Sequence, residues 1–252
     1  MTSSYTSLEA ELHDLFWEGE DTPELEWLDA LLREFPGPSL EVGCGSGRLL
    51  LPLLRKGHPI EGLEPSAAML KLCRERSAEL NPVLHSGDMT TFSSDKLYRS
   101  ILIPAFTLQL SPQPADDLKR LRDRLTADGI LYLTVFRPFA ELDGELPENE
   151  WYDDHQTELP GGGNASLRTL HQIDRQGRIL HRRHHYRVEQ DGEVREHHSE
   201  QTIRWFEPKQ LARMLDDAGF GIDRALADFD ETIPVTEDAQ IITVVARPRV
   251  HP

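Results

Sequence analysis

Residues 40–50 read LEVGCGSGRLL, with glycines at 43, 45 and 47 set between two apolar runs. A short apolar strand, SLEVGC, enters the glycines, and an apolar helix over about residues 47–56 leaves them. In an open α/β sheet such a strand-to-helix turn lies beyond the carboxyl end of a strand, where ligands sit if the topology switches there. Glycine belongs where the backbone takes a positive φ or another group must come close. Arg48 rules out two phosphate readings. A phosphate-cradling loop needs GxxxxGK followed by Ser or Thr, and the chain has Arg48-Leu49 instead. A dinucleotide fingerprint needs a third glycine for tight helix–sheet packing, and that position is Arg48. What remains is an acid followed by alternating glycines: Glu41, Gly43, Gly45 and Gly47.

Outward from this loop the chain alternates strand and helix. HPIEGLE reads as a second strand, Pro65-Ser66 opens the helix AAMLKLCRERSAEL, and PVLHSGDM is a third strand ending near Asp88. RSILIPAF is apolar nearly throughout, as a strand covered on both faces should be. The helix ADDLKRLRDRL follows, then Asp128-Gly129 and the strand ILYLTVF. The helix FEPKQLARMLDDAGF and the strand-like runs GIDRALADF and QIITVVARP close the chain. Pro52 in the helix after the glycines predicts a kink near its second turn. Upstream, LEAELHDLFW (8–17) and ELEWLDALLRE (24–34) have helical apolar spacing. This cadence predicts a mostly parallel sheet with helices on both faces.

Residues 140–203 break the cadence. The runs 166–173, 178–190 and 193–204 read as a three-stranded antiparallel meander, with Asp191-Gly192 as a two-residue hairpin loop requiring positive φ. That loop sets Gln190 opposite Glu193, Arg187 opposite Glu196, Arg183 opposite Glu200 and His185 opposite His198. Two opposite-charge pairs from one register support it. The segment reads as an inserted sheet over the working edge of the main one.

From these motifs the chain resembles the class I S-adenosylmethionine-dependent methyltransferases, over about residues 38–138 and again over 203–248. The glycine loop with Glu41, the stretch IEGLEPSAAML, the SGDM loop, the RSILIPAF strand followed by Leu110, LTADGILYLTVFRP and RWFEPKQLARMLDDAGF stand in the family's order. The family often opens its fourth strand with an acid, where this chain has Tyr98-Arg99-Ser100.

The resemblance implies a Rossmann-like, mostly parallel seven-stranded sheet with the antiparallel sheet inserted. The expected division is a helical segment 1–37 covering the cofactor site, a cofactor domain 38–139 with 204–252, and a β lid 140–203. It implies S-adenosyl-L-methionine as cofactor. Glu41 then faces the ammonium end and the glycines bring backbone amides to the amino-acid moiety. Glu64, followed by Pro65, takes the ribose diol, a bidentate task suited to a carboxylate. Asp88 takes the adenine amino group, with Met89 and Met69 packing near the ring and Pro104 beside the methyl. The plainer roles are a helix-capping acid for Glu64, a turn residue for Asp88 and core for Met69.

Methyl transfer chiefly requires alignment, and a general base is needed only if the acceptor arrives protonated. Candidate catalytic residues are Tyr186, His184 and Arg137. Phe106, Gln109, His13, Trp17 and Arg182 are candidates to meet substrate, with Phe16, His171, His197 and Arg204 nearby in the pattern. The histidine pairs 184–185 and 197–198 lack a carboxylate or cysteine at ligand spacing, so no metal is expected. A net charge of −17, from 44 acidic and 27 basic residues, disfavours nucleic acid and anionic membranes as partners and favours a small-molecule substrate. Two cysteines, no apolar span and no basic-then-apolar leader point to a cytoplasmic protein. The expected activity is methylation of a nitrogen or oxygen of a small polar metabolite. The alternatives are a cofactor-binding regulator, an inactive paralogue, or a protein-directed methyltransferase.

Overall fold

The computed structural model describes residues 7–17, 23–77, 79–230 and 232–249. In chain order the elements are α1 (Ser7–Trp17), α2 (Pro23–Glu34), β1 (Ser39–Val42), α3 (Leu50–Arg55), β2 (Ile60–Glu64), α4 (Ala67–Arg76), β3 (Leu84–Ser86), β4 (Tyr98–Ile103), a 3-10 turn (Thr107–Leu110), α5 (Pro114–Arg122), β5 (Leu125–Phe136) and α6 (Phe139–Leu142). Then follow β6 (Tyr152–Glu158), β7 (Asn164–Asp174), β8 (Ile179–Gln190), β9 (Glu193–Arg204), α7 (Pro208–Asp217), β10 (Phe220–Ala227) and β11 (Ile241–Pro248). Pro52 falls in the first turn of α3, where a missing N–H is tolerated, rather than in the second.

The described residues form two compact units, one within 22–137 and 206–252, the other within 1–21 and 138–205. The first holds a seven-stranded sheet in the order β10-β11-β5-β4-β1-β2-β3. β1, β2, β3, β4 and β5 run parallel, and β11 lies antiparallel between β5 and β10. Alternation along the strands sends one set of side chains to each face. Val42, Ile101, Leu131 and Leu133 join Leu118, Leu121, Leu211 and Leu215 of α5 and α7. Leu102, Ile130, Tyr132 and Val245 join Leu28, Leu31, Leu50, Leu53 and Leu70 of α2, α3 and α4. The strand order reverses between β1 and β4, so a crevice opens at their carboxyl ends.

The second unit is an antiparallel sheet, β6-β7-β8-β9, with α1 and α6. It has four strands, not the three expected. The extra one, YDDHQTE, is an edge strand with polar residues on both faces, so it lacks the apolar alternation that marks a strand. The β8–β9 register is the one read from the hairpin, including Arg187↔Glu196, Arg183↔Glu200 and His185↔His198. Asp191 and Gly192 both have positive φ, 54° and 80°. Leu8 and Leu12 of α1 pack on Ala165, Leu167, Tyr186 and Val188. The two N-terminal helices thus join different units, α1 the antiparallel sheet and α2 the parallel one.

Candidate active site

At the crevice the glycine loop is stitched to β2, because Gly43 and Cys44 both donate backbone N–H groups to the Leu63 carbonyl at 2.7 and 3.1 Å. Gly43 has φ +76°, and a Cβ there would lie 2.6 Å from the Thr107 side chain. That residue keeps the loop against the segment following β4. Gly45, at φ +54°, faces open space: no atom lies within 4 Å of where its Cβ would be. A Cβ on Gly47 would meet Leu51 and Cys73. Gly43 and Gly47 therefore serve packing within the chain, and Gly45 is the glycine that leaves room for a ligand.

Glu64 ends β2 and is buried. It accepts from the Gly45 N–H at 3.1 Å and from the Ser66 N–H at 2.8 Å, which fixes its plane across the loop mouth. Each oxygen retains acceptor capacity for a further donor. Pro65 beside it is exposed, and the Ser66 hydroxyl caps α4 by accepting from Met69 N–H. Glu41 is 2 % exposed, and its Oε2 has no hydrogen-bond partner among the described residues. Burial pushes its carboxyl well above the usual range, Arg48 opposes that, and the charges of Glu24 and Glu64 add to it. A buried carboxylate oxygen with nothing to accept from fits a cationic ligand group.

The loop after β3 is held by Asp88, whose Oδ1 accepts from Thr90 N–H, Thr91 N–H and the Thr91 hydroxyl at 3.1, 2.8 and 2.8 Å. Asp88 is thus a turn residue, and its Oδ2 takes no part in these three bonds. Met69 and Met89 are buried, Met89 within the core that includes Val42 and Leu63.

The segment after β4 turns sharply. Pro104 is buried, and Ala105 and Phe106 both adopt left-handed backbone, φ 49° and 64°, a strained pair for non-glycine residues. The Phe106 ring packs on Phe136 at 4.8 Å. Gln109, read from sequence as a substrate contact, uses its carboxamide on the backbone instead. Its Nε2 donates to the Phe136 carbonyl at 3.0 Å, and its Oε1 accepts from the Phe136 N–H at 2.8 Å. Arg137 pairs with Glu207 at 3.4 Å and also donates to the Glu237 carbonyl.

Sequence reading missed Glu24. This α2 acid is 4 % exposed, accepts from the Tyr132 hydroxyl at 2.9 Å and the Thr134 hydroxyl at 3.5 Å, and lies 3.7 Å from Arg48. The Thr134 hydroxyl that donates to it accepts in turn from the Phe106 N–H at 3.5 Å. Burial raises its carboxyl above the ordinary range, while Tyr132 and then Arg48 pull the other way. A signal was present: Glu24 shares the buried stripe of Leu28, Leu31 and Leu32.

In the antiparallel unit Thr169 Oγ1 donates to Asp154 at 2.7 Å and lies 3.0 Å from His184 Nδ1. Burial, then the Arg182 charge, lowers the His184 pKa to about 4. Arg182 pairs with Glu141, and His197 with buried Glu9 at 3.5 Å. Tyr186 is buried beside both histidines, with ring centroids 6.0 and 6.5 Å away. His171 is buried, and neither ring nitrogen has a hydrogen-bond partner among the described residues. Arg204 ends β9. His13 is half-buried on α1, Phe16 stacks on His155 at 5.4 Å, and the Trp17 side chain lies outside the described residues. His185 and His198 stack at 4.3 Å.

Residues 40–129 match the model of a methyltransferase domain. The chain is 29% identical over 233 residues, 88% of its length and 87% of the relative's, to a dTDP-3-amino-3,6-dideoxy-alpha-D-glucopyranose N,N-dimethyltransferase of Streptomyces fradiae. Its fold is that of an S-adenosylmethionine-dependent methyltransferase from Clostridium acetobutylicum, with a TM-score of 0.78 at 16% identity, covering 95% of this chain and 97% of that one. It is also that of the sugar N-methyltransferase KedS8 from Streptoalloteichus, with a TM-score of 0.74 at 20% identity, covering 99% and 98%.

Proposed function

We propose that this chain is a class I S-adenosylmethionine-dependent methyltransferase that methylates a nitrogen on a small polar metabolite, an amino sugar being the first class to test. The observation that carries the cofactor assignment is the mouth of the glycine loop. There Gly45 opens onto free space beside Glu64, and the buried Glu41 keeps an Oε2 with no hydrogen-bond partner among the described residues. When bound, S-adenosylmethionine supplies a methyl group on a sulfonium, open to in-line displacement by the acceptor's lone pair.

The chain's own residues bind, orient and exclude water. Glu41 faces the ammonium, and loop amides serve the amino-acid end. Glu64, with Pro65 beside it, receives the ribose hydroxyls on acceptor sites left over from Gly45 and Ser66. Asp88 Oδ2 accepts from the adenine amino group, and Met69 and Met89 wall that end. Pro104 and Phe106 form the corner against which the methyl is presented. An amine must shed its proton before it attacks. Within the antiparallel unit, buried His184 is held by Thr169 and Asp154 with Tyr186 beside it, and these two are the candidates to test by substitution. In the same unit Arg182 is paired with Glu141.

The relative named for a nucleotide-linked amino sugar supports an amine acceptor. We place the enzyme in a reducing cytoplasm, since Cys44 and Cys73 are both free buried thiols. No described helix is long and apolar enough to cross a membrane. The test has two stages. Calorimetry with S-adenosylhomocysteine should show binding that Glu64→Ala abolishes, and absence of binding to the wild type overturns the cofactor assignment. Mass spectrometry of nucleotide-linked amino sugars incubated with enzyme and cofactor should then show added methyl groups. Methylation of hydroxyl-only sugars and not of amino sugars overturns the amine assignment.

A further inference from the structure

Three buried carboxylates gather at one end of the parallel sheet: Glu24 from α2, Glu41 from β1 and Glu64 from β2. Their exposures are 4, 2 and 5 %. Arg48, whose side chain is 32 % exposed, acts on both Glu24 and Glu41 from the far side of the glycine loop. Glu24 occupies a particular place among them. Its Oε2 lies 3.7 Å from Arg48, directly after the loop, while its Oε1 accepts from the Thr134 hydroxyl at 3.5 Å, which in turn accepts from the Phe106 N–H at 3.5 Å in the corner after β4. It therefore spans from the loop, where the cofactor's amino-acid end is placed, to the corner, where the methyl is placed. The sulfonium belongs between those two points.

We infer that Glu24 is a specificity-determining residue of this site, its buried carboxylate favouring the sulfonium form of the cofactor over the neutral thioether left after transfer. The inference rests on the cofactor assignment made above. The two forms differ by one positive charge at sulfur and one methyl group, so a carboxylate there distinguishes them by Coulomb attraction. At an effective dielectric of about 20, a unit charge several ångströms away changes affinity by about tenfold or more. The groups facing Glu24 are Tyr132 and Thr134 on β5, Arg48 beyond the loop, and, through space, Glu41 on β1. Glu64 on β2 acts in turn on Glu41. Burial raises both Glu24 and Glu41 above the ordinary carboxylate range, and a cationic ligand opposes that rise where a neutral one does not.

The experiment is calorimetric titration of wild type, Glu24→Gln and Tyr132→Phe with S-adenosylmethionine, with sinefungin (an amine in place of the sulfonium) and with S-adenosylhomocysteine. Glu24→Gln should weaken the two cationic ligands about tenfold, or about 1.4 kcal/mol, and the neutral one by less than about twofold. Tyr132→Phe, which keeps the charge, should preserve the wild-type ratio. Equal losses for all three ligands in Glu24→Gln overturn the role of Glu24 and leave the cofactor assignment standing. Failure of the wild type to bind any of them overturns both. Should circular dichroism show Glu24→Gln unfolded, the wild type decides alone. Its affinity ratio for S-adenosylmethionine over S-adenosylhomocysteine should climb as pH rises above the ordinary carboxylate range, and a flat ratio overturns the inference.

Discussion

Replacing Gln109 by leucine separates a structural role from a substrate role at a residue where sequence and structure point different ways. In the wild type one carboxamide satisfies both backbone groups of Phe136, at 3.0 and 2.8 Å, from a side chain with no exposure. Leucine keeps most of the volume and removes both partners. An orphaned backbone donor and an orphaned acceptor each cost about 1–3 kcal/mol when buried. Phe136 is half-buried, so water reaches part of the site and the lower half of the range applies, about 2–4 kcal/mol in all. For a protein of this size that lowers the melting temperature by roughly 4–16 °C. Urea unfolding followed by circular dichroism and tryptophan fluorescence measures it. The same variant should bind S-adenosylhomocysteine with little change at a temperature where it stays folded. A midpoint shift worth less than about 0.5 kcal/mol, together with a raised KM for the acceptor, refutes the clamp and returns Gln109 to the substrate.

Three further outcomes follow from the same structure. Gly45→Ala should stay folded at a cost of about 1–2 kcal/mol for its left-handed backbone and lose S-adenosylhomocysteine binding, whereas Gly43→Ala, driven into Thr107, should lose more stability; thermal melts with calorimetry compare them. His184 has a pKa lowered from 6.5 to about 4, so its folded state favours the neutral ring; the stability it contributes is present above pH 6.5 and is lost as pH falls toward 4. His184→Gln should flatten that acid limb in urea midpoints measured across the window, and an unchanged limb counts against the buried neutral histidine. Asp117, fully buried, accepts from Thr90 at 3.2 Å, Arg120 at 2.8 Å and Ser111; because Arg120 is 45% exposed, the cost of Asp117→Ala is that of orphaned hydroxyls, about 1–3 kcal/mol, read from the urea midpoint, with a looser Asp88 loop through Thr90.

What the sequence made legible depended on range. A strand buried on both faces must be apolar along its length, so RSILIPAF announced β4 wherever it sat in the fold. Asp191-Gly192 fixed twelve cross-strand pairs between β8 and β9, because a two-residue loop leaves one register. Gly43, Gly45, Gly47 and Glu64 carry backbone and charge requirements that belong to the residue itself, and the loop they form was found. The strand YDDHQTE was not, since an exposed edge selects no alternation. Nor was the clamp of Gln109, or the left-handed pair at Ala105 and Phe106, which carry no glycine to mark them. Glu24 is the instructive case. Its place on the apolar stripe of α2 was a signal for burial that the sequence reading did not use, and a buried acid must have partners. Those partners, Tyr132 and Thr134, lie 108 and 110 residues away and are unremarkable members of a strand. Local pattern identifies which polar residues the core must accommodate. Only the topology, by placing β5 beside β4 and so next to the switch between β4 and β1, decides what they bind and therefore whether they serve the site.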